Sequence, residues 1–282
     1  MTTNAIAAPS VREEDEAGLW VESVSVTFGQ GSRQTRALSE TSLAVRPGEI
    51  VCLIGPSGCG KSTVLNVISG LINEYEGQVH VGGKPLSLPN RRIGYMFQQD
   101  ALFPWLTVTE NIIMPMKVAG VPRAERQERT KELIGTVQLD GFERHYPHQL
   151  SGGMRKRVQL ARLLAQDPAY LLLDEPFGAL DAQTRLIMQK EFLDIWARRG
   201  KPGSLFVTHD LVEAIEMGDR ILVFSRRPGR IRAEYHVDLP RSRTVTSMMG
   251  SHEYETLFAS LWADLEEEAR LSMAASPGGD ES

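Results

Sequence analysis

The sequence lacks the features that would send a chain through a bilayer, out of the cell or onto nucleic acid. No apolar run approaches the ~20 residues needed to cross the hydrocarbon core, so the expectation is a soluble or peripheral protein. The first residues, MTTNAIAAPSVREEDEAG, offer neither a basic stretch nor an apolar core, which speaks against a secretion signal. There are two cysteines, too few for a disulfide framework. Cys52 falls in an apolar run and Cys59 in the glycine-rich loop after it, so a bridge between them would distort that loop. A reduced, cytoplasmic compartment is expected. The net charge of −5 gives no electrostatic reason to expect a nucleic-acid partner. Repeats and low-complexity blocks are missing too. What remains is 282 residues of ordinary apolar and charged content, enough for a full α/β core.

One stretch organises the rest. Gly55-Pro56-Ser57-Gly58-Cys59-Gly60-Lys61-Ser62-Thr63 fits the phosphate-loop pattern G-x-x-x-x-G-K-[ST]. An apolar run over 49–54 reads as a buried strand before it, and 62–68 reads as the start of a helix after it. A polyphosphate needs many donors converging on it. Backbone N–H groups can supply them where Gly55, Gly58 and Gly60 keep side chains away, and the helix start adds unpaired N–H groups and partial positive charge. Lys61 can bridge the β- and γ-phosphates, and the Ser62 hydroxyl can ligate Mg²⁺. The same helix start is expected to favour a thiolate at Cys59. A chance glycine-rich turn is the bland alternative, and the flanking strand and helix argue against it.

Along the chain, residues 1–18 are small, polar and acidic, and disorder is expected there. Leu19–Phe28 alternates as a half-buried strand, with Val24, Val26 and Phe28 on one face and Ser25 and Thr27 on the other. With Leu43–Val45 and Gly77–Val81 it suggests a small antiparallel sheet. Ile93–Phe97 reads as a further strand ending in Gln98. From about 100 to 166 the pattern is mostly helical, with Thr109 a candidate cap and Arg123–Val137 an amphipathic, solvated helix. Strands are expected at Ala169–Leu173, Ser204–Val207, Ile221–Phe224 and Ile231–Leu239, and a C-terminal helix over His252–Arg270.

Two further stretches carry chemistry. Leu171-Leu172-Leu173-Asp174-Glu175 is a Walker B pattern, an apolar strand ending in acid. Asp174 would hold Mg²⁺ through water, and Glu175 would orient or activate the water that attacks the γ-phosphate. Leu150-Ser151-Gly152-Gly153-Met154 precedes a helical run, so Ser151 reads as an N-cap and the two glycines expose helix-start N–H groups as a second anion site. One chain therefore has two phosphate-binding helix starts but a single phosphate loop.

In this order the motifs resemble the ATP-binding subunit of an ABC transporter, over nearly all of Leu19–Leu239. Walker A is GPSGCGKST, the glutamine loop is Gln98, the signature is LSGGM, Walker B is LLLDEP, the D-loop is Gly178-Ala179-Leu180-Asp181 and the switch histidine is His209. The resemblance implies a phosphate-loop, RecA-like α/β core spanning 19–240, with a small antiparallel β subdomain and an inserted helical subdomain near 100–166. A C-terminal helix and loose tail would follow over 241–282. It implies ATP and Mg²⁺, a homodimer or pseudo-dimer with ATP sandwiched between subunits, and Ser151, Gly152 and Gly153 acting in trans. Asp181 would serve the dimer contact. Gln98 would join Ser62 and Asp174 at the metal and act in catalysis with Glu175 and His209. Phe28 matches the family's adenine-stacking aromatic; that it simply continues the Val24/Val26 core face stays open. Met154 stands where the family's commonest signature has glutamine.

A finer similarity joins Leu102–Val108, Arg227–Ile231 and Asp238–Arg241 to the nitrate/sulfonate/taurine importer branch. It implies an importer subunit at the cytoplasmic face of the membrane, driving a separate permease supplied by a solute-binding protein. The stretch after the glutamine loop would face a coupling helix of that permease. About forty residues follow the last strand, which leaves no room for a large β-rich regulatory domain. A soluble ABC ATPase acting on ribosomes or DNA would call for tandem cassettes or long coiled-coil insertions, neither of which is present. An exporter's ATPase subunit stays open.

Overall fold

The computed structural model describes residues 18–275 apart from 242, 244 and 249, so the expectations for 1–17 and for the last seven residues lie outside the described residues. The elements run β1 (Leu19–Phe28), β2 (Thr35–Val45), β3 (Ile50–Ile54), α1 (Lys61–Ser69), β4 (Glu76–Val81), β5 (Lys84–Pro85), β6 (Ile93–Met96), α2 (Val108–Val118), α3 (Arg123–Thr136) and α4 (Gly152–Leu164). They continue with β7 (Tyr170–Asp174), α5 (Ala182–Arg198), β8 (Gly203–Val207), α6 (Leu211–Met217), β9 (Arg220–Phe224), β10 (Ile231–His236), α7 (Val245–Met248) and α8 (His252–Ala275). The class is α/β, and the chain forms two compact units, Met1–Pro89 with Gly203–Ser282, and Asn90–Pro202.

The first unit has two sheets. One is antiparallel in the order β2-β1-β4-β5. In the other, β3 lies parallel between β8 and β9, and β10 closes antiparallel on β9. Every residue of β3, β8 and β9 is buried, which is why these strands read as unbroken apolar runs. One charged exception is Arg220 on β9, which donates to Glu49 at 3.0 Å and Glu234 at 2.6 Å and so stays paired despite its burial. β1 departs from simple alternation. Its register with β2 slips at three places, Ser23 takes a φ of +48°, and Ser25 turns out buried, accepting from the Glu40 N–H at 3.0 Å. α8 packs on α6 and β9 and runs on to Ala275, past the expected Arg270.

In the second unit β6 and β7 pair in parallel, and α2, α3 and α4 pack together. The cap of α2 is Thr107, not Thr109. Its hydroxyl accepts from the Glu110 N–H while Glu110 accepts from the Thr107 N–H, a reciprocal arrangement that places Thr109 inside the first turn. The sequence offered two threonines two residues apart, and the glutamate three places on selects the first.

Candidate functional site

In the first unit, β3 delivers the chain into the phosphate loop. Gly55 has φ +152°, and a Cβ there would lie 2.8 Å from the Phe224 carbonyl oxygen. Gly60, the N-cap of α1, has φ +111° and would drive a Cβ to 2.6 Å from Leu38 Cδ2. Both ends of the loop therefore require glycine on two counts, conformation and contact. Lys61 is buried, and its ammonium donates back to the carbonyls of Gly55 at 2.8 Å and Pro56 at 2.9 Å. Ser57, Gly58 and Ser62 are exposed, and Pro56 and Thr63 are partly so. A helix start directs its first N–H groups outward along the axis, so this end of α1 suits an anion.

Cys59 corrects the expectation of a thiolate. Its side chain is 1 % exposed, and burial pushes the thiol up from its ordinary value, outweighing the nearby Lys61, whose Nζ lies 3.6 Å from Sγ. The helix start acts on backbone donors facing outward, whereas the Cys59 sulfur points into protein. Cys52 is buried as well, its thiol raised by desolvation, and the two are not bridged.

A second element holds the loop from behind. In the turn after β9, Arg227 donates from Nε and Nη2 to the Gly58 carbonyl at 3.3 and 3.0 Å. Gly229 lies so close that a Cβ would fall 1.9 Å from the Cys59 carbonyl oxygen. Gly229 also donates to the Ala37 carbonyl at 2.8 Å and accepts from the Ser39 N–H at 2.9 Å. In a planar trans peptide the C=O and N–H point to opposite sides, so gripping outward carbonyls orients the amides on the other side. Sequence reasoning noticed Arg227–Ile231 as a family likeness and missed this support.

His209 follows β8 and is exposed. It is set between Thr208 and Asp210, whose carboxylate accepts from the Val212 and Glu213 N–H groups to cap α6. Phe28 ends β1 at 46 % exposure and does not continue the Val24/Val26 core, which decides against the packing alternative.

The remaining assigned residues belong to the second unit. Gln98 Nε2 donates to Glu175 Oε2 at 2.9 Å, which brings two of the candidate catalytic side chains together. Glu175 has φ +43°, a left-handed conformation that costs a non-glycine residue energy and recurs where side-chain direction matters. Asp174 ends the buried strand β7, and Tyr95 Oη donates to it at 3.4 Å; burial first, and that carboxylate second, push the Tyr95 pKa well up. Ser151 caps α4, accepting from the Met154 N–H at 3.2 Å. Gly152 and Gly153 form the first turn, and a Cβ on Gly153 would come within 2.8 Å of Thr184 Cγ2. Asp181 caps α5 by accepting from the Thr184 N–H at 3.0 Å, and that bond lowers its pKa. Among the described residues, no cluster of three or more His, Cys, Asp or Glu is placed to hold a metal by itself.

Beyond Gln98 the chain presents an aromatic pair. Trp105 is 69 % exposed, with its ring 5.7 Å from that of Phe103. Buried Asn111 fixes the backbone around it, accepting from the Phe103 N–H and donating to the carbonyls of Phe103, Leu106 and Thr107.

Comparison with known proteins gives a consistent picture. The ABC transporter family model matches residues 38–178. An uncharacterized ABC transporter ATP-binding protein of Methanocaldococcus jannaschii is 44 % identical over 84 % of this chain and 88 % of its own length. An aliphatic sulfonates import ATP-binding protein, SsuB, of Bacillus cereus is 43 % identical over 80 % and 89 %. A taurine import ATP-binding protein, TauB, of Burkholderia pseudomallei is 42 % identical over 89 % and 96 %. Among solved structures, a dimeric post-hydrolysis state of an ATP-binding cassette bound to ADP and Pi superposes with a TM-score of 0.69 at 32 % identity. It covers 79 % of this chain and 100 % of that one.

Proposed function

Because this chain belongs to the ABC transporter family, we propose that it is the ATP-hydrolysing subunit of an importer, driving a separate membrane permease. The observation that carries this is the coexistence, in one chain, of a phosphate loop and a second glycine helix start capped by Ser151. Two anion-binding helix starts are used economically when two copies face each other, each closing the other's nucleotide.

ATP lies on the loop amides of Gly55–Thr63, with Lys61 on the β- and γ-phosphates and Phe28 against the adenine. For Lys61 to reach the phosphates it exchanges loop carbonyls for phosphate oxygens, a stronger charge-assisted bond. Ser151, Gly152 and Gly153 of the partner copy complete the cradle, and Asp181 serves the dimer contact. Ser62, Gln98 and Asp174 offer oxygen donors alone, which suits a hard cation, and they would hold Mg²⁺. When bound, the metal neutralises charge building on the phosphates. Glu175, oriented by Gln98, accepts a proton from the attacking water, and His209 steadies the γ-phosphate.

Phe103, Pro104 and Trp105 form the socket for a cytoplasmic helix of the permease. Among the described residues no helix is long and apolar enough to cross a membrane. Likeness to import ATP-binding proteins supports a peripheral place at the cytoplasmic face. The solute is a small organic anion or a nitrogen- or sulfur-containing compound, with sulfonates the class for which the importer relatives are named, delivered by a solute-binding protein. The test is reconstitution of the chain in proteoliposomes with a sulfonate-importer permease and its solute-binding protein. ATP-dependent uptake of taurine or an alkyl sulfonate is expected; ATP hydrolysis that no sulfonate stimulates and that moves none would overturn the solute assignment.

A further inference from the structure

Helix α4 does more than present its N-terminus. Lys156 Nζ donates to the Gln98 carbonyl at 2.9 Å and lies 3.4 Å from Asp100 Oδ1. Arg155 Nε donates to Asp100 Oδ2 at 2.7 Å. Gln159 Nε2 donates to the Gln99 carbonyl at 3.0 Å, and Arg162 Nη1 donates to the Ala101 carbonyl. Lys156, Gln159 and Arg162 recur every three residues along one helix face, with Arg155 beside Lys156. One rigid helix therefore holds four consecutive loop residues, 98 to 101. The Arg162 guanidinium then lies over the Phe103 ring at 5.7 Å, where the Asn111 clamp takes over.

Stability does not account for these side chains. Lys156 is 2 % exposed and Gln159 is 3 % exposed, so each loses its hydration. Gln159 Oε1 is buried without a hydrogen-bond partner. Burial pulls the Lys156 pKa down, against the pull of Asp100. Methionine or leucine at either place would pack at lower desolvation cost. What the polar groups supply is position. Gln98, gripped by its main chain, is the residue whose amide reaches Glu175 at 2.9 Å.

We propose that Lys156 is a positioning residue for ATP hydrolysis: from the signature helix it sets the Gln98 main chain and, through the Gln98 amide, the Glu175 carboxylate. Gln159 and Arg162 carry the same register to the Phe103–Trp105 surface. The inference rests on the ATPase reading above and adds a determinant of turnover to it.

Steady-state hydrolysis by the full chain tests it, with Lys156→Met, Lys156→Arg, Gln98→Ala and the double variant Lys156→Met/Gln98→Ala. Lys156→Met should lose about tenfold in kcat while KM for ATP moves less than about twofold. Lys156→Arg, which restores a cationic donor, should recover most of the loss. In the Gln98→Ala background Lys156→Met should cost no more than about twofold, because both act through one group. Gln159→Leu removes the neighbouring rung without changing charge and should lower kcat about threefold; it decides the matter if Lys156→Met does not fold. Wild-type turnover in Lys156→Met, or in Gln159→Leu where that variant decides, overturns the proposal, and so does a loss that multiplies fully with that of Gln98→Ala. A wild-type chain that hydrolyses no ATP removes the ATPase reading itself, so the wild-type control separates the two failures.

Discussion

Replacing Trp105 with alanine separates a docking surface from a core. Trp105 is 69 % exposed, so about a third of its surface is covered. Of the ~250 Å² a tryptophan can bury, that is ~80 Å², or about 2 kcal/mol at ~25 cal/mol per Å², an upper limit because the unfolded chain already covers part of it. The backbone at Phe103, Leu106 and Thr107 is held by Asn111 and should not collapse when the ring is removed. Thermal melting of the isolated chain should therefore fall by a few degrees, at about 2–4 °C per kcal/mol for a protein of this size. A tryptophan in the core would cost about 3–5 kcal/mol. Co-purification with the permease should fail in the same variant, since exposed aromatics at the centre of an interface supply much of its energy. A loss above about 3 kcal/mol in urea unfolding, or a variant that still captures the permease, would refute the reasoning.

Three further outcomes follow from the loop. Cys59 and Cys52 should both react with a maleimide at least about tenfold slower than a free thiol near neutral pH, because burial holds each protonated and covered; rapid labelling of folded protein at Cys59 contradicts that burial. Arg227→Ala removes two donors from the Gly58 carbonyl and should cost stability only about 1 kcal/mol, while KM for ATP rises several-fold; an unchanged KM would show that the turn does not shape the loop. Gly229→Ala puts a methyl against the Cys59 carbonyl oxygen and should weaken binding of a fluorescent ATP analogue more than about tenfold, far beyond Arg227→Ala.

Much of the fold was legible because the strands around the loop are buried on both faces and therefore read as plain apolar runs. The cap at Ser151 was legible because it is a short polar side chain at the edge of a helical pattern. Where sequence reasoning fell short, the missing information was three-dimensional. Cys59 sits beside a helix start in sequence, yet its sulfur faces inward. Thr107 and Thr109 differ only by what Glu110 can reach. The grip of Arg227 on Gly58 spans 169 positions, and that of Lys156 on Gln98 spans 58, so no local pattern announces either. Phe28 leaves the core face because β1 slips register, which alternation alone cannot show.

The central claim is that ATP clamps two copies together and that Glu175 acts on water rather than on binding. Glu175→Gln keeps the shape and the contact with Gln98 while removing the base. Sizing this variant with ATP and Mg²⁺, alongside Lys61→Ala and a hydrolysis assay, measures the claim directly. Glu175→Gln should bind ATP, lose turnover and accumulate as a dimer, whereas Lys61→Ala should bind weakly and stay monomeric. Full turnover by Glu175→Gln, or a monomer in saturating ATP, would contradict the account.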